Sequence, residues 1–201
     1  MELNRRLPRF TAKIDALQGV LGKFETERTV DLHDALALER ALMQMQVEWE
    51  LFVRGLILDS ATGNFSNIGG PVVSSHTIQL SSREQACHYL ITQYPRTNKE
   101  PNWYVPTEAI RAASLLGVSN IDNISAQLGV SPWQIDSLRQ LRNFIGHRSK
   151  ASALKVRELG LVGRTDKIDA IGVAFSFNEH GTRNYSAWGQ FMKYIARQLA
   201  I

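Results

Sequence analysis

The ten residues LRNFIGHRSK, positions 141–150, gather side chains suited to chemistry on a phosphate. Four residues separate Arg142 from His147, Asn143 follows the arginine, and Gly146 precedes the histidine. A guanidinium is always charged, and its planar fork matches two phosphate oxygens. An imidazole, with an unperturbed pKa of about 6.5, takes and gives protons near neutrality. The amide of Asn143 both donates and accepts, so it can orient either neighbour. Residue types alone leave two readings open, a catalytic pair or an ordinary basic helix that contains a histidine.

Spacing alone does not single the motif out, because Arg28 with His33 and Arg83 with His88 repeat it. The first pair crosses an expected helix cap at Asp31, so no helix fixes its geometry. In the second, Glu84 beside Arg83 weakens attraction for an anion. Both read as structural. Around LRNFIGHRSK, by contrast, no acid lies between Asp136 and Glu158, while Arg139, Arg148 and Lys150 surround the pair. Residues 131–167 hold eight Lys and Arg against three acids, in a chain whose formal net charge is only +4. Such asymmetry suits an anionic partner, RNA or DNA first; a merely solvated helix face is the plain alternative.

On a helical wheel at about 100° per residue, Ile135, Leu138, Leu141, Phe144 and Ile145 fill one half. Arg139, Asn143, Gly146, His147 and Lys150 fill the other, with Arg142 on the edge. This keeps His147 out of the core. Gly146 falls between Arg142 and His147, where any side chain is expected to crowd the space. A glycine inside a helix costs roughly 1 kcal/mol against alanine, so something should offset it.

The elements that must position these residues are mostly helical. Apolar spacing predicts helices over 4–24 and, from an N-cap at Asp31, over 32–59; two long helices so early suggest an antiparallel hairpin. Gly, Asn and Pro then break the pattern. Shorter helices follow at 82–94, 107–116 and 120–128, then one long helix at 132–158 carrying the motif, and a last one at 185–199. Residues 72–80 and 170–177 read as β-like runs expected to pair as a small two-stranded ribbon. Trp103 and Tyr104, in a Pro-bounded loop, suit either base stacking or packing. Trp49 reads as core, and Glu48, Glu50 and Arg54 as supports of the site or as a surface i,i+4 arrangement.

A chain of 201 residues fits one domain, here taken as 1–201. Its single cysteine, Cys87, excludes an internal disulfide and Cys-rich zinc sites, and fits a reducing, cytoplasmic setting. No apolar run approaches the roughly 18 residues of a membrane span, and no apolar core follows the basic start MELNRRLPRF.

LRNFIGHRS resembles the signature of the HEPN superfamily, helical ribonucleases whose motif is Arg, a polar residue (often Asn), a few residues, then His. WELFVRGLILDSATG, late in the second long helix, resembles the corresponding helix of HEPN families associated with prokaryotic defence and toxin systems. The resemblance implies a HEPN-like helical bundle and a metal-independent endoribonuclease, in which the ribose 2′-hydroxyl attacks the adjacent phosphate. Arg142, His147 and Asn143 are then catalytic, with Asn143 orienting His147 or the phosphate, and Arg139, Arg148 and Lys150 contact RNA. No cofactor or metal is implied. Residues five apart on a helix diverge by about 140°, and the family's solution is a homodimer whose two motif helices form one composite site. An antitoxin or a sensing partner is implied as well. The β-like segments depart from the family's bundle.

Two other readings stand beside this one. NIDNISAQLGVSPWQIDSLRQLRN resembles a helix-turn-helix, with Ile124, Leu128, Gly129, Val130 and Ile135 at its packing and turn positions. It would present Trp133, Gln134, Ser137 and Arg139 to a DNA major groove. That leaves Asn143, Gly146 and His147 without a role. The third reading is a HEPN-like module that binds RNA or a partner without cutting.

Overall fold

The computed structural model describes residues 3–25, 31–67, 70–72, 80–93, 99–130, 134–163 and 167–201. Helices dominate them. They are α1 (Leu3–Lys23), α2 (Leu32–Ala61), α3 (Arg83–Gln93), α4 (Pro106–Leu115), α5 (Ile121–Leu128), α6 (Gln134–His147), α7 (Lys150–Glu158), α8 (Ala170–Phe175) and α9 (Asn184–Leu199). The chain divides into two units. One comprises Met1–Phe10, Trp49–Ser131 and Tyr194–Ile201, the other Thr11–Glu48 and Pro132–Lys193.

The cap read from the sequence at Asp31 forms as expected. Asp31 accepts the Asp34 N–H at 2.8 Å and starts α2, and Ser82 accepts the Gln85 N–H at 3.2 Å at the start of α3. Pro106 opens α4, where a missing N–H does no harm. The first two helices meet antiparallel. In the first unit Phe10 of α1 packs against Phe52 of α2 with ring centroids 4.6 Å apart, and Trp49 completes the cluster. In the second, Lys13 of α1 pairs with Glu48 of α2 at 2.7 Å.

The first unit buries its end of α2 with Val53, Leu56, Ile57 and Leu58. Among them lies a carboxylate, Asp59, only 1 % exposed. Arg6 binds one of its oxygens and Arg83 binds both. Gly55 makes this contact feasible: a Cβ there would stand 1.7 Å from the Arg6 guanidinium. Burial holds Arg6 below its ordinary pKa, against the pull of Asp59. The stretch WELFVRGLILDSATG thus carries a glycine and an acid with a common structural purpose.

A second polar cluster lies in the same unit. Arg54 forks onto Glu100, with nitrogen–oxygen distances of 2.7 and 2.9 Å, and the Trp103 indole N–H joins the same carboxylate at 3.0 Å. Arg54 thus reaches a carboxylate far away in sequence, and its side chain is only 33 % exposed. Trp103, at 7 % exposure, is packed and offers no stacking face; Tyr104 is half-buried. Hydrogen bonds from Arg54 and Trp103 keep the Glu100 carboxyl below the usual range. Cys87 accepts from Arg54 at 3.1 Å, and desolvation pushes its thiol up to about 11. At pH 8 native Cys87 should therefore resist iodoacetamide and react fully only once denaturant exposes it, a difference that intact-mass spectrometry reads directly.

Two expectations are corrected. Residues 170–175 form α8, a helix, because Ala170, Val173 and Ala174 are buried at helical rather than alternating spacing and Asp169 caps the Ile171 N–H at 3.0 Å. The ribbon that does form is local: β1 (Phe65–Asn67) pairs antiparallel with β2 (Gly70–Val72). Of the expected 72–80 strand, residues 73–79 lie outside the described residues. After α8, Phe177 bridges to Arg183 around a turn, where Asn178 accepts the N–H groups of His180 and Thr182 at 3.0 Å.

The second unit holds the motif. Ile135, Leu138, Leu141 and Ile145 bury the inner face of α6, which packs with α7 and α8. Trp188 and Met192 of α9 and Leu38, Leu42 and Met45 of α2 supply further core. Gln18 of α1 donates to the Ser186 carbonyl at 3.0 Å, tying α1 to α9.

Candidate functional site

The expected single helix over 132–158 is two helices, and the break falls on the motif. Arg148 has φ +48°, the only positive φ at a non-glycine among the described residues. A left-handed conformation costs roughly 1–2 kcal/mol for a residue with a Cβ. Its N–H donates to the Phe144 carbonyl at 2.8 Å and closes the end of α6. Ser149 then caps α7 in a reciprocal arrangement with Ser152. His147 is consequently the last residue of α6, and Lys150 the first of α7 rather than part of the α6 outer face.

The wheel is otherwise obeyed. His147 is exposed and makes no hydrogen bond to the described residues. Arg142 is half-buried on the edge of the apolar face, and its Nη1 donates to Asn143 Oδ1 at 3.2 Å. Its Nε is buried without a hydrogen-bond partner. An unmet buried donor typically costs about 1–3 kcal/mol, so this guanidinium lacks an acceptor it could use. Two carboxylates of the same unit are committed to other arginines. Asp136 accepts from Arg139 Nε at 2.6 Å, and Glu39 of α2 accepts from Arg148 Nη2 at 2.5 Å. Among the described residues Arg142 has no carboxylate partner.

The structure thus joins Arg142 to Asn143 but does not join either to His147. Five residues on a helix are about 7.5 Å apart along the axis and about 140° around it. Of the three candidate RNA contacts, Arg139 and Arg148 are engaged by carboxylates, while Lys150 is exposed and unpaired among the described residues. Glu39 was not found by sequence reasoning. Its only local signal was a place on the helix that opens at Asp31.

Gly146 is corrected too. Beyond its chain neighbours and the helix's own backbone, a Cβ built there meets nothing within 4 Å, so Arg142 does not require a glycine. Gly146→Ala should therefore add about 1 kcal/mol of helix stability and raise the Tm by about 2–4 °C in a thermal scan. If RNA cleavage falls while the Tm rises, the glycine serves the close approach of a ligand or a second chain.

The helix-turn-helix segment places α5 in the first unit, against α4, and α6 in the second. Gly129, at the expected turn, is the C-cap of α5, while the expected start of the second helix, residues 131–133 with Trp133, lies outside the described residues. Gln134 and Ser137 are half-buried. Among the described residues no group of three or more His, Cys, Asp or Glu could hold a metal ion, and no helix is long and apolar enough to cross a membrane. Comparison with protein-family models, curated proteins and solved structures returns no match.

Proposed function

We propose that the protein is a metal-independent endoribonuclease of the HEPN type, in a prokaryotic toxin–antitoxin or anti-phage system, acting in the cytoplasm. The observation that carries this reading is Arg142: a guanidinium with no carboxylate partner among the described residues, its Nε buried and unmet, bonded to Asn143 and one turn and a half before an exposed histidine. Phosphate oxygens are the acceptors such a group fits best.

In this reading the RNA 2′-oxygen attacks the adjacent phosphorus and the bond to the 5′-oxygen breaks, leaving a 2′,3′-cyclic phosphate and a 5′-hydroxyl. One imidazole accepts the 2′-hydroxyl proton and another group protonates the departing oxygen. Arg142 holds the non-bridging oxygens as their charge builds. A twofold dimer supplies two copies of His147 for the two proton transfers, with Asn143 fixing the Arg142 fork and Lys150 meeting the backbone. Free activity of this kind harms its host, so a neutralising antitoxin or a sensing partner belongs to the proposal.

The test is incubation of labelled RNA and DNA with the protein in EDTA. RNA should be cut and DNA left whole, since DNA lacks the attacking hydroxyl. Tight binding of duplex DNA with no RNA cut would favour the helix-turn-helix alternative. RNA binding without a cut would favour a non-catalytic HEPN-like module.

A further inference from the structure

His147 ends α6 immediately before the strained Arg148, so whatever holds Arg148 in its conformation also sets where the histidine's backbone lies. Three contacts hold it. The Arg148 N–H reaches the Phe144 carbonyl at 2.8 Å, its guanidinium lies over the Phe144 ring at 5.4 Å from the centroid, and Nη2 meets Glu39 at 2.5 Å. The first two come from α6 itself, one turn earlier. Glu39 alone comes from a different helix, and its side chain is only 16 % exposed, so its position is fixed by the packing of α2. Arg148, by contrast, is half exposed at its side chain.

We propose that Glu39 is a positioning residue for His147, acting through Arg148, which tethers the end of α6 to α2. This rests on the ribonuclease reading for its kinetic consequence but not for its structural one. It also changes the role of Arg148 from RNA contact to tether. An arginine free to grip phosphate would not be spent on a carboxylate of its own chain, nor placed where a glycine would fit the backbone better. Anchoring matters here because the end of a helix frays more easily than its middle, and small displacements of a reacting group are costly to rate.

The experiment pairs kinetics with amide hydrogen exchange on the full chain. Glu39→Gln keeps size and removes charge, and Arg148→Gly keeps the left-handed backbone while removing the tether. Each should lower kcat about tenfold to hundredfold with KM for RNA unchanged. The double variant should be no worse than Arg148→Gly, and Arg148→Lys, which restores a cation of similar reach, should recover part of the loss. In Glu39→Gln the Arg148 amide should exchange faster while amides of Leu138 and Leu141 keep their protection. An unchanged kcat together with an unchanged Arg148 amide overturns the proposal. So does Arg148→Gly that raises KM and lowers the salt slope of binding by about 1 at constant kcat, the mark of a lost phosphate contact. If the wild-type protein cuts no RNA, the ribonuclease reading has failed, and the exchange comparison alone decides whether Glu39 fixes the end of α6.

Discussion

His147→Ala should reduce RNA cleavage by about 10²–10⁴-fold while leaving thermal stability unchanged. The two halves of this expectation come from different observations. His147 is exposed and has no hydrogen-bond partner among the described residues, so truncating it removes no packing and strands no polar group. The rate loss follows if its imidazole moves a proton in the transition state. Arg142→Ala should cost about 10²–10³-fold, the scale of losing one donor to a developing oxyanion. Arg142→Lys should recover little of it, because an ammonium keeps the charge but loses both the fork and the Nη1 contact to Asn143. Single-turnover rates beside melting curves read both quantities. A His147→Ala protein as active as the wild type would remove the histidine from the mechanism.

The largest effect on stability is expected at Asp59. Breaking a buried ion pair by removing one partner typically costs about 3–5 kcal/mol, because the other charge is left without compensation. Here two arginines depend on one carboxylate. Arg83 is 41 % exposed at its side chain and can be rehydrated in part, whereas Arg6 is 12 % exposed and already held below its ordinary pKa by burial. Arg6 therefore decides the magnitude, and Asp59→Ala should lose about 3 kcal/mol, read as a shift in the urea midpoint with an unchanged slope. Gly55→Ala should be destabilising for the same reason, since its Cβ would displace the Arg6 guanidinium. A loss below about 1 kcal/mol at Asp59 would mean that water replaces the carboxylate.

Much of this was legible from residue order, and the failures have definite causes. The helices at the two ends of the chain, the Asp31 cap and the inner face Ile135, Leu138, Leu141 and Ile145 followed from period and capping alone. The break after His147 did not, because Arg148 is neither glycine nor asparagine and nothing in an arginine announces a left-handed backbone. The run 170–177 was misread because short apolar stretches fit either period, and the Asp169 cap decided it. Partners distant in sequence, Arg54 with Glu100 and Arg148 with Glu39, were out of reach of any local rule. At the site, residue types were readable, whereas which cations were already neutralised was not. That difference separates Arg142 from Arg139 and Arg148.

The central claim is that the RNA's own 2′-hydroxyl is the nucleophile and that Arg142 and His147 serve it. The most direct measurement uses an end-labelled oligoribonucleotide in EDTA, its cut site mapped and the product ends identified by mass. The account predicts 2′,3′-cyclic phosphate and 5′-hydroxyl ends, with cleavage abolished by a single 2′-deoxy substitution on the 5′ side of the cut. Cleavage that survives that substitution, or ends carrying a 5′-phosphate, would contradict it.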